Sequence, residues 1–525
     1  MAVRITLTFK MNRINLKSIF RILLAAGLLI WAINLNAQEP VTPNASKEAK
    51  ALLELIYSIS GKYTLTGQHN YPNTRDRNSQ FSAKYVGKTP AVWSTDMGFA
   101  EDGDTDSYLA RPDIVKEAIR QHKKGSVITI CWHAVPPTAE EPVTFQPKHD
   151  NPAPPEALAS VQGQLLDEQY RELLTPGTNL HSQWEKQVDS VAVYLKKLQI
   201  AKVPVLWRPY HEMNGDWFWW GGRVGENSTI DIYKMLFDRL VNVHKLNNLV
   251  WVWNVDRPST PIRKFSNFYP GTKYLDILSL DVYGADFNKA YYDSLMALSQ
   301  GKPILFGEVG NPPMPEVLKE QPNWALWTIW AGMVRLTSKA DYEILKNDPR
   351  ILHKEDPAYW EIMEPYRKTC GLEALPLKPK YPVSYSGEWV LNEEKSSAAG
   401  MQMGNQPYKL VINHDDDILF VKSFSIVEWG DDRIDNNEIW LDGSAMVGDY
   451  FNTHRVSVAG WDNETNAVKI VSTLKFNRNG QTREIKSNEV WSLSDDKNVL
   501  IIKNTAPDLR TYEERTTIQV YEKKQ

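Results

Sequence analysis

Residues 204–222 read PVLWRPYHEMNGDWFWWGG, and the first four form an apolar run opened by a proline, the pattern of a buried strand. The chain then changes character within one residue. Arg208, His211, Glu212, Asn214 and Asp216 follow, interleaved with Trp217, Phe218, Trp219 and Trp220. Charges taken out of water need partners or a task. Indole rings beside them offer flat apolar faces with polar edges, which suit the faces of sugar rings. The competing reading is a buried Arg–Glu pair next to a tryptophan core. The density of polar groups favours a carbohydrate-active site.

Working outward from this stretch, short β-like runs recur on both sides, each ending in a polar or aromatic residue. Upstream are Tyr63–His69 (YTLTGQH), Pro90–Asp96 (PAVWSTD) and Val127–His133 (VITICWH). Downstream are Leu249–Asp256 (LVWVWNVD), Leu275–Tyr283 (LDILSLDVY), Pro303–Glu308 (PILFGE) and Ala325–Trp330 (ALWTIW). With Val205–Glu212 these make eight. Helical spacing separates several of them: Ala51, Leu52, Leu55, Ile56 and Ile59 within Glu48–Ser60, then Ile114, Ala118 and Ile119. Trp184, Val188, Val191, Leu195 and Leu198 share a face, as do Tyr233, Leu236, Leu240 and Val243. Alternating strands and helices predict an α/β fold with a parallel sheet, and eight units predict a (β/α)₈ TIM barrel. In that fold the site lies at the C-terminal strand ends. Those ends carry His69, Asp96, His133, His211 with Glu212, Asn254 with Asp256, Asp281 with Tyr283, Glu308, and Trp330. The long insertion 134–182, rich in Pro, Asp, Glu and Gln, is expected to wall the cleft. His69 and Asp96 read equally as rim residues satisfying backbone groups, and Trp219, Trp220, Trp251 and Trp253 as divided between core and cleft.

The 525 residues accommodate more than one domain. After Cys370 the segment LEALPLKPKYPVS is linker-like, and beyond it period-two runs such as YKLVIN and AVKIVSTLKF predict an antiparallel barrel or sandwich. The expected organisation is a signal peptide at 1–37, a barrel domain at 38–370, a linker at 371–384 and an all-β accessory domain at 385–525. Lys10, Arg13, Lys17 and Arg21 precede the apolar run Ile22–Ile33, and Ala37 ends a short cleavage-like segment. This is the pattern of a secretory signal, with Met11 as an alternative start and no transmembrane segment once it is removed. No cysteine follows the cut, so a lipobox is not indicated and a secreted or periplasmic chain is expected. Cys131 and Cys370 are the two cysteines, read as buried free thiols. The net charge of −4 offers no electrostatic footprint for nucleic acid. A monomer acting on a neutral polymer is expected.

Glu212 and Glu308 stand at the ends of the fourth and seventh strands, nearly opposite across a barrel mouth, where two carboxyls can flank a glycosidic bond. Either taken singly reads also as a salt-bridge partner. RPYHEMNGDWFWWGG, LDVYG and PILFGEVGN resemble glycoside hydrolase family 26, best known for β-1,4-mannanases, over about residues 45–370. The resemblance implies a retaining enzyme with Glu212 as acid/base and Glu308 as nucleophile. It implies that His211 orients the nucleophile, that Arg208 sits beneath the pair, and that His133 and Asp281 contact the sugar. Tyr283 would hydrogen-bond near the nucleophile, with Trp217 and Trp330 as platforms. β-Mannan is the expected substrate; mixed-linkage β-glucan, β-1,3-xylan, exo-acting mannobiohydrolysis and non-catalytic glycan binding are the alternatives. No cofactor and no metal are expected: Asp102, Asp104 and Asp106 only faintly resemble a calcium loop. In the β-rich part, Gly387-Glu388-Trp389 is similar to the opening of lipocalin-type barrels. Its tryptophans at 389, 429, 440, 461 and 491 fall mostly in strand-like runs, which favours packing over a sugar-binding strip.

Overall fold

Runs such as VLWRP and VITICW carry bulky apolar residues without alternation, which suits strands covered on both faces. In the computed structural model they form a seven-stranded parallel sheet in sequence order. Its strands are β1 (Gly67–Asn70), β2 (Val92–Asp96), β3 (Val127–Trp132), β4 (Val205–Pro209), β5 (Leu249–Asp256), β6 (Ile277–Val282) and β7 (Ile304–Val309). Every residue of these strands is buried except Asp256, which is half-buried. The structure describes residues 39–100, 109–149, 153–397, 406–450, 453–478, 481–508, 511 and 513–524. The expected signal peptide with Met11, and the Asp102, Asp104 and Asp106 triplet, lie outside the described residues.

The expected eighth strand, Ala325–Trp330, is not a regular strand, yet it closes the sheet. On one side Ala325 O accepts from Leu65 N, and Ile329 N donates to Gly67 O. On the other, Phe306 N donates to Leu326 O and Val309 N to Thr328 O. It is joined to β7 on one side, and to Leu65 and β1 on the other, through isolated bridges rather than a continuous ladder. At the strands' N-terminal ends Val92, Val127, Leu206 and Val250 share a core with the helix Lys47–Ile59. The helix Asn179–Ile200 buries Trp184, Val188, Val191, Leu195 and Leu198 as its spacing predicts. Val243 departs from prediction. The helix Thr229–Asp238 passes into a π-turn, Arg239–Val243, whose wider winding turns Val243 out to 60% exposure. Trp219, Trp220, Trp251 and Trp253 are all fully buried, so none of the four is divided toward the cleft. Cys131 and Cys370 are free and buried.

The chain divides into two compact units, the second beginning at Lys378. Leu372 and Leu375 pack on the core of the first unit, and Tyr381 and Val383 on that of the second. The second unit is a ten-stranded antiparallel sheet: β8 (Gly387–Leu391), β9 (Lys409–Asp415), β10 (Ile418–Ser425), β11 (Arg433–Trp440), β12 (Asp442–Tyr450), β13 (Thr453–Asp462), β14 (Ala467–Arg478), β15 (Gln481–Leu493), β16 (Val499–Pro507) and β17 (Glu514–Lys523). The order β11-β10-β9-β8-β17-β16-β15-β14-β13-β12 makes it an up-and-down near-barrel whose two edges are consecutive strands. Trp389, Trp491, Leu410, Ile502 and Tyr521 fill its core. Trp440 is also buried, Trp461 stacks on Tyr381 at 4.4 Å, and Trp429 alone of the five is exposed, at 91%. No helix among the described residues is long and apolar enough to cross a membrane.

Candidate active site

The site begins where β4 ends. Tyr210 and Glu212 adopt left-handed backbone, with φ of 47° and 49°. Such conformations cost about 1–3 kcal/mol each and persist only where neighbours fix them. Here the Glu212 amide donates to Asn254 Oδ1 at 2.7 Å, its carbonyl accepts from Gly215 N at 2.8 Å, and the Tyr210 hydroxyl accepts from Trp184 Nε1 at 2.8 Å. The double turn swings Glu212 from the strand axis over the barrel mouth.

Beneath it lies a charge network. Arg208, 2% exposed, donates from Nη1 to Asp281 Oδ2 at 2.9 Å and from Nη2 to Glu308 Oε1 at 2.5 Å. Tyr283 Oη donates to Glu308 Oε2 at 2.6 Å. Asn254 Nδ2 donates to Asp281 Oδ1 at 2.7 Å, linking β5, β6 and the Glu212 turn. Gly307 makes room for this set: a Cβ there would lie 2.6 Å from Asp281 Oδ1 and 2.7 Å from Asn254 Nδ2. One carboxyl oxygen from each of Glu212, Asp281 and Glu308 lies within 4.8 Å of the others. Arg208 already supplies the cation to this trio. Glu212 lacks that contact, and its Oε2 accepts from Trp217 Nε1 at 2.6 Å. Burial, followed by the charges of Asp281 and Glu308, pushes its pKa well above the ordinary carboxylate range.

The expected residues occupy two levels. His133, His211, Glu212, Trp217, Tyr283, Glu308 and Trp330 line a cleft of about 200 Å³. Arg208 and Asp281 lie below it. His133 Nδ1 meets Asp96 Oδ2 at 2.7 Å, and that carboxylate also accepts the His133 amide at 3.0 Å and, through Oδ1, the Gly98 amide at 2.7 Å. Asp96 thus fixes the ring of His133 and leaves Nε2 for the cleft. His211 Nε2 stands 3.7 Å from Glu308 Oε1, beyond hydrogen-bond reach, so Arg208 and Tyr283 are the groups that hold this carboxyl. His69 stacks on Trp330 at 3.8 Å and engages Ser94 Oγ at 3.0 Å, so its ring backs that indole.

Phe218, named with the aromatics of the decisive stretch, also lines the cleft, as do Phe99, Phe145 and Gln162, which were not singled out from sequence. Phe145 and Gln162 belong to the insertion 134–182, which runs along the β4 loop: Gly163 N donates to Trp217 O at 2.9 Å, and Trp219 N to Val161 O at 3.3 Å. Only the insertion's position had pointed to it.

Residues 41–356, well over half of the chain, match the sequence model of glycosyl hydrolase family 26. The chain belongs to glycosyl hydrolase family 26. Among curated relatives, the mannan endo-1,4-beta-mannosidase of Thermothelomyces thermophilus is 32% identical over 295 residues, covering 55% of this chain and 56% of that protein. The mannan endo-1,4-beta-mannosidase of Bacillus subtilis strain 168 is 30% identical over 325 residues, covering 58% and 81%. The chain spans about half the length of the first curated relatives it matches. Of solved family 26 structures, GH26A from Muricauda sp. is 41% identical, with a TM-score of 0.54 over 59% of this chain and 98% of its own. The GH26-CBM35 beta-(1,4)-mannanase of Podospora anserina is 28% identical, with a TM-score of 0.52 over 63% and 70%.

Proposed function

We propose that this family 26 chain is a secreted endo-β-1,4-mannanase that hydrolyses mannan-type polysaccharides with retention of anomeric configuration. The observation that carries the mechanism is the unequal treatment of two neighbouring carboxyls. Glu308 accepts from a guanidinium and a phenol, which stabilise its negative charge and aim it as a nucleophile. Glu212, buried and facing other carboxyls, keeps its proton. Their oxygens approach within 4.8 Å, close to the roughly 5–5.5 Å separation of retaining enzymes and short of the gap that inversion needs for a water.

In the first step Glu308 attacks the anomeric carbon while Glu212 gives its proton to the departing glycosidic oxygen. The resulting ester removes the charge of Glu308, which lowers the proton affinity of Glu212. Glu212 then takes a proton from water as that water attacks the anomeric carbon and frees Glu308. His133 positions the sugar, Arg208 and Asp281 hold the network beneath the cleft, and Trp217 and Trp330 serve as ring platforms. Mannan is favoured as substrate by the relatives' activity. The N-terminal signal pattern supports secretion, and the chemistry is assigned to residues 38–370, with 371–384 as connection and 385–525 as accessory. A panel of mannan, galactomannan, lichenan and β-1,3-xylan tests the specificity: mannans should be cleaved to mixed oligosaccharides. Preferential attack on lichenan or β-1,3-xylan, or release of a single disaccharide from the outset, would overturn it.

A further inference from the structure

Trp217 lines the cleft and also donates its indole N–H to Glu212, so whatever fixes the indole plane also fixes that hydrogen bond. Two contacts grip the ring. Gly215 lies against its six-membered part, where a Cβ would come within 2.3 Å of Cη2 and Cζ2. The guanidinium of Arg263 sits 5.3 Å from the ring centroid. Arg263 comes from a different element, the 3₁₀ turn Pro261–Arg263 after β5. It is itself tethered: it pairs with Asp216, its Nη1 donates to Ser259 Oγ at 2.9 Å, and its carbonyl accepts from Asn214 Nδ2 at 3.0 Å.

We propose that Arg263 is a positioning residue for the acid/base: it clamps Trp217 from the β5 side so that the indole N–H stays aimed at Glu212. The inference rests on the reading of Glu212 as acid/base. A donor to an ionised carboxylate favours the ionised form, so Trp217 opposes the upward push of burial. Glu212 also faces Asp256 from β5, Asp281 and Tyr283 from β6 and its exit, and Glu308 from β7, with His211 and Asp216 on its own loop. Arg263→Met frees the indole and also removes a cation that acts on Asp256, whereas Gly215→Ala disturbs the indole and keeps that cation.

The test is the pH profile of kcat/KM on a soluble manno-oligosaccharide for Arg263→Met, Arg263→Lys and Gly215→Ala, each with its Tm. Arg263→Met should move the basic limb upward by about half a pH unit or more, because Glu212 loses its donor. Its kcat should fall several-fold on the oligosaccharide and less on an activated aryl glycoside. Arg263→Lys, which restores a cation over the ring, should bring the limb back. Gly215→Ala, whose Cβ would press on the six-membered ring, should move the limb in the same direction as Arg263→Met. A limb that stays in place in Arg263→Met, whether or not Tm falls, would reduce Arg263 to a structural role and overturn the proposal. Glu212→Gln separates the two readings: a basic limb that survives there would overturn the acid/base assignment itself.

Discussion

Glu308 accepts two strong donors while Glu212, a few ångströms away, accepts an indole, and that asymmetry predicts distinct mutant signatures. Glu308→Ala should lose several orders of magnitude in turnover while keeping the fold, because the covalent step has no substitute. Recovery of an inverted glycosyl azide on adding azide would support the assignment, and near-normal hydrolysis without azide would refute it. Glu212→Ala should damage substrates with poor leaving groups far more than nitrophenyl glycosides, whose leaving group needs little protonation; equal losses on both would contradict a general-acid role. The histidines beneath the cleft make a different prediction. Burial lowers the pKa of His69 to about 3. The unfolded chain protonates this side chain near pH 6.5, so between those values the unfolded state binds more protons. The stability from keeping His69 neutral is therefore present above about pH 6.5 and declines as pH falls toward 3, by about 2 kcal/mol at pH 5. Thermal melts at pH 7 and 5 should show the loss, and His69→Gln should flatten the slope; an unchanged slope would count against it. From sequence the ends of β4 and β7 already picked out both glutamates, since a carboxyl after an apolar strand needs a reason. Asp96 read equally as a site residue and a rim residue, because its pairing with His133 joins the ends of β2 and β3 in a contact that spacing does not encode.

At the scale of elements, the insertion 134–182 brings Phe145 and Gln162 to the cleft wall, whereas Glu212 and Glu308 belong to the β4 turn and β7. Phe145→Ala should therefore raise KM for oligosaccharides and leave kcat within a few-fold, the pattern of lost uniform binding. A kcat loss as large as that of Glu212→Ala would show that the wall aligns the reacting atoms. The barrel was readable because its strands end in polar residues at regular intervals. Three features were not. The segment Ala325–Trp330 has strand composition but pairs with its neighbours only through isolated bridges. Val243 fits a helical face by spacing, but a π-turn intervenes. Trp219 and Trp220 of the WFWW tail read as divided between core and cleft, yet both are wholly buried and Trp217 alone among its tryptophans reaches the cleft. Periodicity reports which residues are apolar; tertiary packing decides which of several indoles faces solvent.

For the whole molecule, each unit has its own core, and the carboxyl network is confined to the first. A chain ending after Leu377 should fold and cleave soluble manno-oligosaccharides at close to the full-length rate, as measured by kcat/KM and a single cooperative melt. Aggregation of the truncated chain would show that the units depend on each other for folding. In the second unit Trp389, Trp440 and Trp491 are buried, which leaves Trp429 as an isolated exposed ring rather than part of a strip. Full-length protein carrying Trp429→Ala should thus migrate as the parent does in affinity electrophoresis through mannan, and released migration would reveal a binding role. The central claim, double displacement by Glu212 and Glu308 on a β-mannosidic bond, is tested most directly by following the anomeric protons of a manno-oligosaccharide by NMR during the first minutes of hydrolysis. The β-anomer should appear first and mutarotate afterwards to the α form; initial release of the α-anomer would contradict the account.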